Sequence, residues 1–148
     1  MNSRVNMVED ASLILNYRFE NPNWLWEALQ TAGSPALIIG GRRIREGNKQ
    51  LAGLGNRVLN LVIVKNAFEN SLSIGDTNRE IQQHANNDRL AVLCDVIGLT
   101  RCINRNASQQ GGVSPKTKTA TIEAIIGAVY KDGDLEAAEE VIKSMGIV

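Results

Sequence analysis

The sequence predicts an all-α protein folded as a single domain over residues 1–148. Apolar residues recur at helical spacing in almost every segment, and no stretch alternates apolar and polar residues as a half-exposed strand would. Hydrophobic residues make up 43% of the chain, which contains only 3 prolines, and this is typical of a globular protein with a sizeable core. No internal repeat or low-complexity tract interrupts the helical pattern.

The first half of the chain predicts three helices and one long loop. A short helix is expected over Val8 to Leu15, and a second begins near Pro22, because proline is favoured in the first turn of a helix. Glycine and proline punctuate residues 33–47, which predicts a loop. A long helix is expected from about Asn48 to Asn70, with apolar residues on neighbouring faces.

The second half predicts four more helices. Thr77 and Glu80 have the spacing of a capping box, so a helix is expected to begin at Asn78. The remaining elements, in order, are a helix over about Asn87 to Ile97 closed by Gly98, a loop over Asn104 to Ser114, a helix over Thr119 to Tyr130 broken at Asp132-Gly133-Asp134, and a last helix over about Leu135 to Met145 with Glu136, Glu139 and Glu140 exposed.

Charge and cysteine content narrow the classes of function. The 16 basic and 16 acidic residues cancel, whereas a dedicated nucleic-acid binder usually has a basic excess. The two cysteines, Cys94 and Cys102, make no disulfide framework or zinc cluster and are expected to be buried thiols of a reducing compartment. The sequence shows no signal peptide pattern and no membrane-length apolar run, so we expect a soluble, cytoplasmic protein.

Two segments resemble active-site helices of the ribonuclease III family. Residues 48–59 follow the pattern N-x-x-L-E-x-L-G-D-x-V-L, with Ala52 at the position of the Glu and Asn56 at that of the Asp. Residues 119–130 look like A-D-x-x-E-A-x-x-G-A-x-Y, with Ala120 at the position of the Asp and Glu123 retained. The likeness spans residues 13–147, and the chain is similar to stand-alone fungal members, without a double-stranded RNA-binding domain.

The resemblance implies a metal site that has lost most of its ligands. Positions 52 and 56 share one helical face and positions 120 and 123 another, and in the family four carboxylates on these faces hold divalent metals. Magnesium prefers carboxylate and water ligands, and two-metal hydrolysis needs enough of them to hold both ions. With three of the four carboxylates missing, we expect no metal, no other cofactor and no metal-dependent cleavage of RNA.

The emptied site is interpreted either as simple decay or as a repurposed pocket. The candidate pocket residues are Lys49, Ala52, Gly53, Asn56, Ala120 and Glu123. In an apolar pocket the carboxyl pKa of Glu123 would rise and the group could act as an acid or base, with Asn56 as its hydrogen-bond donor or Lys49 as an alternative partner. Small residues at 52 and 53 would leave room, unless Gly53 only allows close helix packing.

Other polar residues have weaker functional signals. The basic residues Arg42, Arg43, Arg45, Lys116 and Lys118 precede the two motif helices and are candidate contacts for RNA phosphates, although a solvated loop is the favoured interpretation. His84 is the sole histidine, and we expect it to be structural.

The sequence supports two alternative functions. The family fold is an all-helical domain that dimerises through the first motif helix, whose Leu54, Leu59 and Leu61 supply several apolar faces, so we expect a homodimer. The favoured function is a non-nucleolytic dimer that binds RNA or a protein partner. The alternative is a metal-independent small-molecule enzyme, such as a cyclase, isomerase or lyase, that uses the emptied groove. An active nuclease with other ligands, such as Asp132 and Asp134, is disfavoured.

Overall fold

The computed structural model describes residues 4–105 and 111–148, and helices account for most of them. The α-helices in these ranges are α1 (Arg4–Leu15), α2 (Pro22–Ala28), α3 (Lys49–Glu69), α4 (Ile74–His84), α5 (Asn87–Val96), α6 (Pro115–Asp132) and α7 (Leu135–Ser144). A two-stranded hairpin, β1 (Ile38–Ile39) and β2 (Arg42–Arg43), and a 3₁₀ turn at Thr100–Cys102 complete the described elements. The predicted all-α class is confirmed.

The core lies around α6, which packs against α3 more extensively than any other pair of elements. Ile122, Ile125, Ile126 and Val129 of α6 are all completely buried. The two helices cross with their backbones in near contact, because a Cβ atom on Gly55 would lie 1.6 Å from the carbonyl oxygen of Glu123. This crossing brings the two motif faces together and fixes the geometry of the candidate site.

Helix α4 begins earlier than predicted. Ser73 Oγ, rather than Thr77, caps it by accepting a hydrogen bond of 3.0 Å from the backbone N–H of Asp76. Thr77 lies inside the first turn, where its hydroxyl donates to the carbonyl of Ser73 at 2.8 Å. Serine and threonine are both good N-cap residues. The spacing of Thr77 and Glu80 predicted Thr77 as the cap, and this prediction was wrong.

Helix α6 also begins earlier than predicted, at Pro115 instead of Thr119. Ser114 accepts a hydrogen bond from the backbone N–H of Thr117, and proline occupies the first helical position, where its missing N–H costs nothing. In the predicted loop from Asn104 to Ser114, residues 106–110 lie outside the described residues. The C-terminal half of the chain otherwise follows the prediction, and Gly98, with φ +88, closes α5 as expected.

The predicted loop over residues 33–47 contains the hairpin that the sequence did not predict. Gly40 and Gly41 both have positive φ, +57 and +81, which suits a two-residue turn between antiparallel strands. The strands are only two residues long, so they are too short to show an alternating pattern. Residues 33–47 are therefore not a loop throughout, as was predicted, although the hairpin leaves the helical fold class unchanged.

Two further predictions concern the exposure of the Glu139 side chain and of the two cysteines. Glu139 was expected to be exposed, but its side chain is only 15% exposed, because it lies between Lys65 and Lys143 at 3.2 Å from each ammonium. Cys94 and Cys102 are free and buried as predicted, and burial raises the pKa of the Cys94 thiol to about 11.

Within the described residues, none of the helices has the length and apolar character needed to cross a membrane.

Candidate functional site

The two motif helices place Asn56 and Glu123 in direct contact. Asn56 Nδ2 on α3 donates a hydrogen bond of 2.8 Å to Oε2 of Glu123 on α6. Ala52 lies one turn before Asn56 and is 9% exposed, while Ala120 lies nearly one turn before Glu123. The structure therefore joins the two motif helices through Asn56 and Glu123, and Glu123 is the one carboxylate among the four positions that the sequence singled out.

Glu123 is a half-buried acid that accepts its hydrogen bond from a neutral amide. Burial raises the pKa of its carboxyl group, and this outweighs the opposing effects of the Asn56 hydrogen bond and the Arg57 guanidinium, which lower it. The proton is thus bound more tightly than in a solvated glutamate. Such a group can donate or accept a proton nearer to neutral pH than an ordinary carboxyl group can.

A second amide extends this contact along α3. Asn60 Nδ2 approaches Asn56 Oδ1 at 3.4 Å, which is a weak hydrogen bond. Asn60 Oδ1 is buried and has no hydrogen-bond partner among the described residues. Polar side chains at positions 56 and 60 are four apart and so share one face, and that spacing is the signal in the sequence that would have revealed Asn60.

A cavity of about 400 Å³ lies beside Glu123, between the first turns of α5 and α6. It is open to solvent and so does not have the closed form that favours small-molecule chemistry. Its lining residues are Asn87, Asp88, Pro115, Lys116, Thr119, Ala120 and Glu123. Of the predicted pocket, only Ala120 and Glu123 line this cavity, because the groove opens toward α5 and not along α3. The α5 contribution was missed, since no local pattern connects residues 87 and 88 to Glu123.

The structure places two of the other predicted pocket residues, Lys49 and Gly53, away from this cavity. Lys49 pairs with Glu46 at 3.3 Å, with both side chains more than half exposed, and it makes no ion pair with Glu123. A Cβ atom on Gly53 would meet nothing within 4 Å, so Gly53 neither permits a close helix contact nor lines the cavity. Close packing falls instead on Gly55 and Gly127.

The five basic candidates separate into paired and solvent-facing side chains. Arg42 binds the buried carboxylate of Glu27 at 3.1 Å, so its charge is already neutralised. Lys118 pairs with Asp95 at 2.8 Å and is only 18% exposed on its side chain, which makes it a structural residue rather than a free phosphate contact. Arg43, Arg45 and Lys116 are exposed.

His84 lies away from the cavity and holds the end of the chain. Its Nδ1 is 3.0 Å from the carbonyl oxygen of Ile147, and its Nε2 is 2.7 Å from Glu80 Oε2. The structural role expected for His84 is supported by these contacts.

The donor set does not fit a pair of divalent metals. Ala52 and Ala120 offer no ligand atom, and the amide of Asn56 is turned so that its nitrogen faces Glu123. In residues 4–105 and 111–148, no three His, Cys, Asp or Glu side chains are grouped as metal ligands would be. Asp132 and Asp134 are engaged elsewhere: Asp132 accepts a hydrogen bond from the Tyr17 hydroxyl, and Asp134 caps α7.

Comparison with known proteins identifies the family to which this chain belongs. A family model described as Ribonuclease-III-like matches residues 40–147. Ribonuclease 3 of Ehrlichia chaffeensis is 29% identical over 143 residues, which cover 92% of this chain and 61% of the relative. Ribonuclease 3 of Ruegeria pomeroyi is 33% identical over 146 residues, which cover 86% of this chain and 56% of the relative. The chain thus spans less than two thirds of the length of these relatives.

Solved structures confirm the predicted ribonuclease III-type helical fold. The nuclease domain of ribonuclease III from Campylobacter jejuni matches with a TM-score of 0.78 at 23% identity, covering 95% of this chain and 94% of that one. Another crystal structure of the same nuclease domain matches with a TM-score of 0.78, covering 93% and 91% of the two chains. From the motif helices, their crossing and these matches, we conclude that the chain belongs to the ribonuclease III-like family.

Proposed function

We propose that this protein is a non-nucleolytic ribonuclease III-like homodimer that binds RNA or a protein partner. The observation that carries the proposal is the site itself, where Asn56 and Glu123 face each other with alanine at positions 52 and 120. The names of the relatives point to ordinary ribonuclease 3, so the proposal depends on the chemistry of these four residues and not on the fold.

The charge at the site is too small for two-metal hydrolysis. Two dications carry four positive charges, and the motif faces offer one carboxylate to balance them. Burial raises the pKa of Glu123 and so disfavours even this one negative charge. Asp88, the other acid lining the cavity, is an exposed first-turn residue of α5 and adds no second carboxylate on the motif faces.

An exposed apolar stripe on α3 supports the homodimer. Leu61, Val64 and Phe68 lie three and four residues apart on one face and are 51%, 40% and 83% exposed. Leu59, which was predicted to contribute an external face, is instead completely buried in the core of its own chain. A single copy leaves the stripe in water, and a second copy related by a two-fold axis would cover it. One of the Campylobacter jejuni structures was described for flexibility in a region involved in dimer formation.

A metal-independent small-molecule enzyme is the second candidate, and one observation favours it. Glu123, with its raised carboxyl pKa, borders a cavity of about 400 Å³ that is large enough for a small ligand. The open, partly charged lining is less favourable, because desolvation and shape would have to replace the metals. If a turnover is found, replacing Glu123 by Gln should abolish it while leaving the fold intact.

The direct test is a cleavage assay on duplex RNA with magnesium or manganese. We expect no cleavage by the purified protein under conditions in which a bacterial ribonuclease 3 cuts the same duplex. A matched variant that restores the carboxylates, Ala52→Glu with Asn56→Asp and Ala120→Asp, should bind manganese and gain cleavage if the groove is otherwise intact. Metal-dependent cleavage by the unmodified chain would overturn the proposal.

A further inference from the structure

The hairpin presents an apolar and basic surface that the site described above does not use. We call Leu37, Ile38, Arg43 and Arg45 the hairpin surface. Leu37 and Ile38 are 62% and 70% exposed, although both are large aliphatic side chains. Arg43 is the cross-strand partner of Ile38 in the antiparallel ladder, so a basic and an aliphatic side chain stand next to each other.

The hairpin is held firmly against the body of the protein. Ile39 and Ile44 are 4% and 3% exposed and anchor it in the core. Arg42 binds both carboxylate oxygens of Glu27, whose side chain is only 3% exposed, at 3.1 and 3.3 Å. The surface is therefore presented by a fixed backbone, which lowers the entropy lost when a partner is bound.

The two outward arginines have no acidic partner among the described residues. Arg42 and Lys49, the neighbouring cations, pair with Glu27 and Glu46, whereas no ion pair of residues 4–105 and 111–148 includes Arg43 or Arg45. Arg43 and Arg45 border a recess of about 280 Å³ that Leu37 and Ile44 also line. Positive charge and exposed aliphatic surface thus meet at one small recess.

We propose that the hairpin surface docks a protein partner through a segment in which acidic residues adjoin aliphatic ones. Carboxylates would pair with the arginine guanidinium groups, and an aliphatic side chain would fill the recess and cover Leu37 and Ile38. RNA fits less well, since phosphates would neutralise the arginines but leave both aliphatic side chains in water, and the hairpin surface has no aromatic ring for a base to stack on. This inference rests on the proposed function as a binding domain and names its partner class.

The test uses a display library of random peptides selected against the full chain. The expected result is enrichment of peptides with Asp or Glu next to Leu, Ile or Val, measured afterwards as synthetic peptides by fluorescence polarisation. Replacing Arg43 and Arg45 by Glu should weaken their binding by roughly tenfold or more, because attraction becomes repulsion. The matched control replaces the exposed Arg18 and Arg79 by Glu, which changes net charge equally and should leave the affinity unchanged.

Any of three outcomes of the peptide experiment would overturn the inference. In the first, the selection returns no binding peptide. In the second, the enriched peptides bind the Arg43→Glu, Arg45→Glu variant with the same affinity as the unmodified chain. In the third, the control variant loses as much affinity as that variant does. Retention of a short RNA duplex that depends on Arg43 and Arg45 would also overturn it, in favour of RNA. The cleavage assay is run on the same preparations, so failure of the docking inference is distinguished from failure of the proposed function.

Discussion

Asn56 Nδ2 and Glu123 Oε2 are joined by a hydrogen bond of 2.8 Å that spans the crossing of α3 and α6. A neutral amide thus stands where the resemblance to the family implies a metal-binding acid, and it partly offsets the cost of burying the remaining carboxylate. The offset is incomplete, because burial still raises the pKa of Glu123. The stability of the protein should therefore depend on the ionisation of this one group.

The first prediction concerns Glu123→Gln. The folded state binds the carboxyl proton more tightly than the unfolded chain, so the contribution of Glu123 to stability is full below the ordinary carboxyl pKa and is lost as pH rises through the raised value. The glutamine side chain of the variant carries no charge and has no such dependence. In urea denaturation, the stability of the variant relative to the unmodified protein should therefore increase as pH rises above the ordinary carboxyl pKa of about 4. If the difference in free energy of unfolding between the two proteins did not change with pH, the pKa of Glu123 would not be raised in the folded protein.

The second prediction compares two amides on the same face of α3. Asn56→Leu removes the donor to Glu123 and should destabilise the protein by about 1–3 kcal/mol, because a half-buried carboxylate loses its partner. Asn60→Leu removes a buried oxygen that has no donor among the described residues and should be neutral or stabilising. Urea denaturation of both variants at neutral pH measures the contrast. Equal losses for the two variants would contradict this account of the amide pair.

Much of this structure follows from local sequence, and the failures have physical causes. Apolar residues at helical spacing predicted the long helix from Asn48 to Asn70. Asn56 and Lys49 were both expected as possible partners of Glu123, and the structure shows the contact from Asn56. The ion pair between Lys118 and Asp95 joins α6 to α5, so residues distant in sequence decide whether that lysine is free. The cavity likewise uses Asp88, which no spacing rule connects to Glu123.

The third prediction concerns the apolar stripe on α3. Replacing Leu61 and Phe68 by Lys should convert a dimer into a folded monomer, because both side chains are exposed in the single chain and charge would oppose their burial in an interface. The control is Val92→Lys with Val96→Lys on α5, where the side chains are 61% and 73% exposed and lie on a different helix. Analytical ultracentrifugation distinguishes the two states. A dimer that survives the α3 changes would place the interface elsewhere.

The fourth prediction concerns Asp132, which ties the end of α6 to the segment between α1 and α2. Its carboxylate accepts from the Tyr17 hydroxyl at 2.8 Å and from the backbone N–H groups of Glu20 and Asn21 at 3.0 and 2.8 Å. Asp132→Ala should cost about 2–4 kcal/mol, since three donors lose a charged acceptor. The change in free energy of unfolding is read by urea denaturation. Asp134→Ala, which removes the cap of α7, is the comparison and should cost about 1 kcal/mol.

The last prediction tests the helix crossing that assembles the site. A Cβ atom on Gly127 would lie 2.4 Å from the carbonyl oxygen of Leu51, and one on Gly55 would lie 1.6 Å from that of Glu123. Both obstacles are backbone atoms, so Gly55→Ala or Gly127→Ala must push α3 and α6 apart, at a cost of about 3 kcal/mol or more.

Gly53→Ala is the matched control for the crossing, because it lies in the same helix as Gly55 with nothing within 4 Å of its Cβ position. It should stabilise the protein by up to about 1 kcal/mol through helix propensity alone. Urea denaturation compares the three variants, and the chemical shift of the Asn56 side-chain amide reports whether its contact with Glu123 is lost. If Gly55→Ala were tolerated as well as Gly53→Ala, the two helices would have to be farther apart than this structure has them, and the site would not be built by their contact.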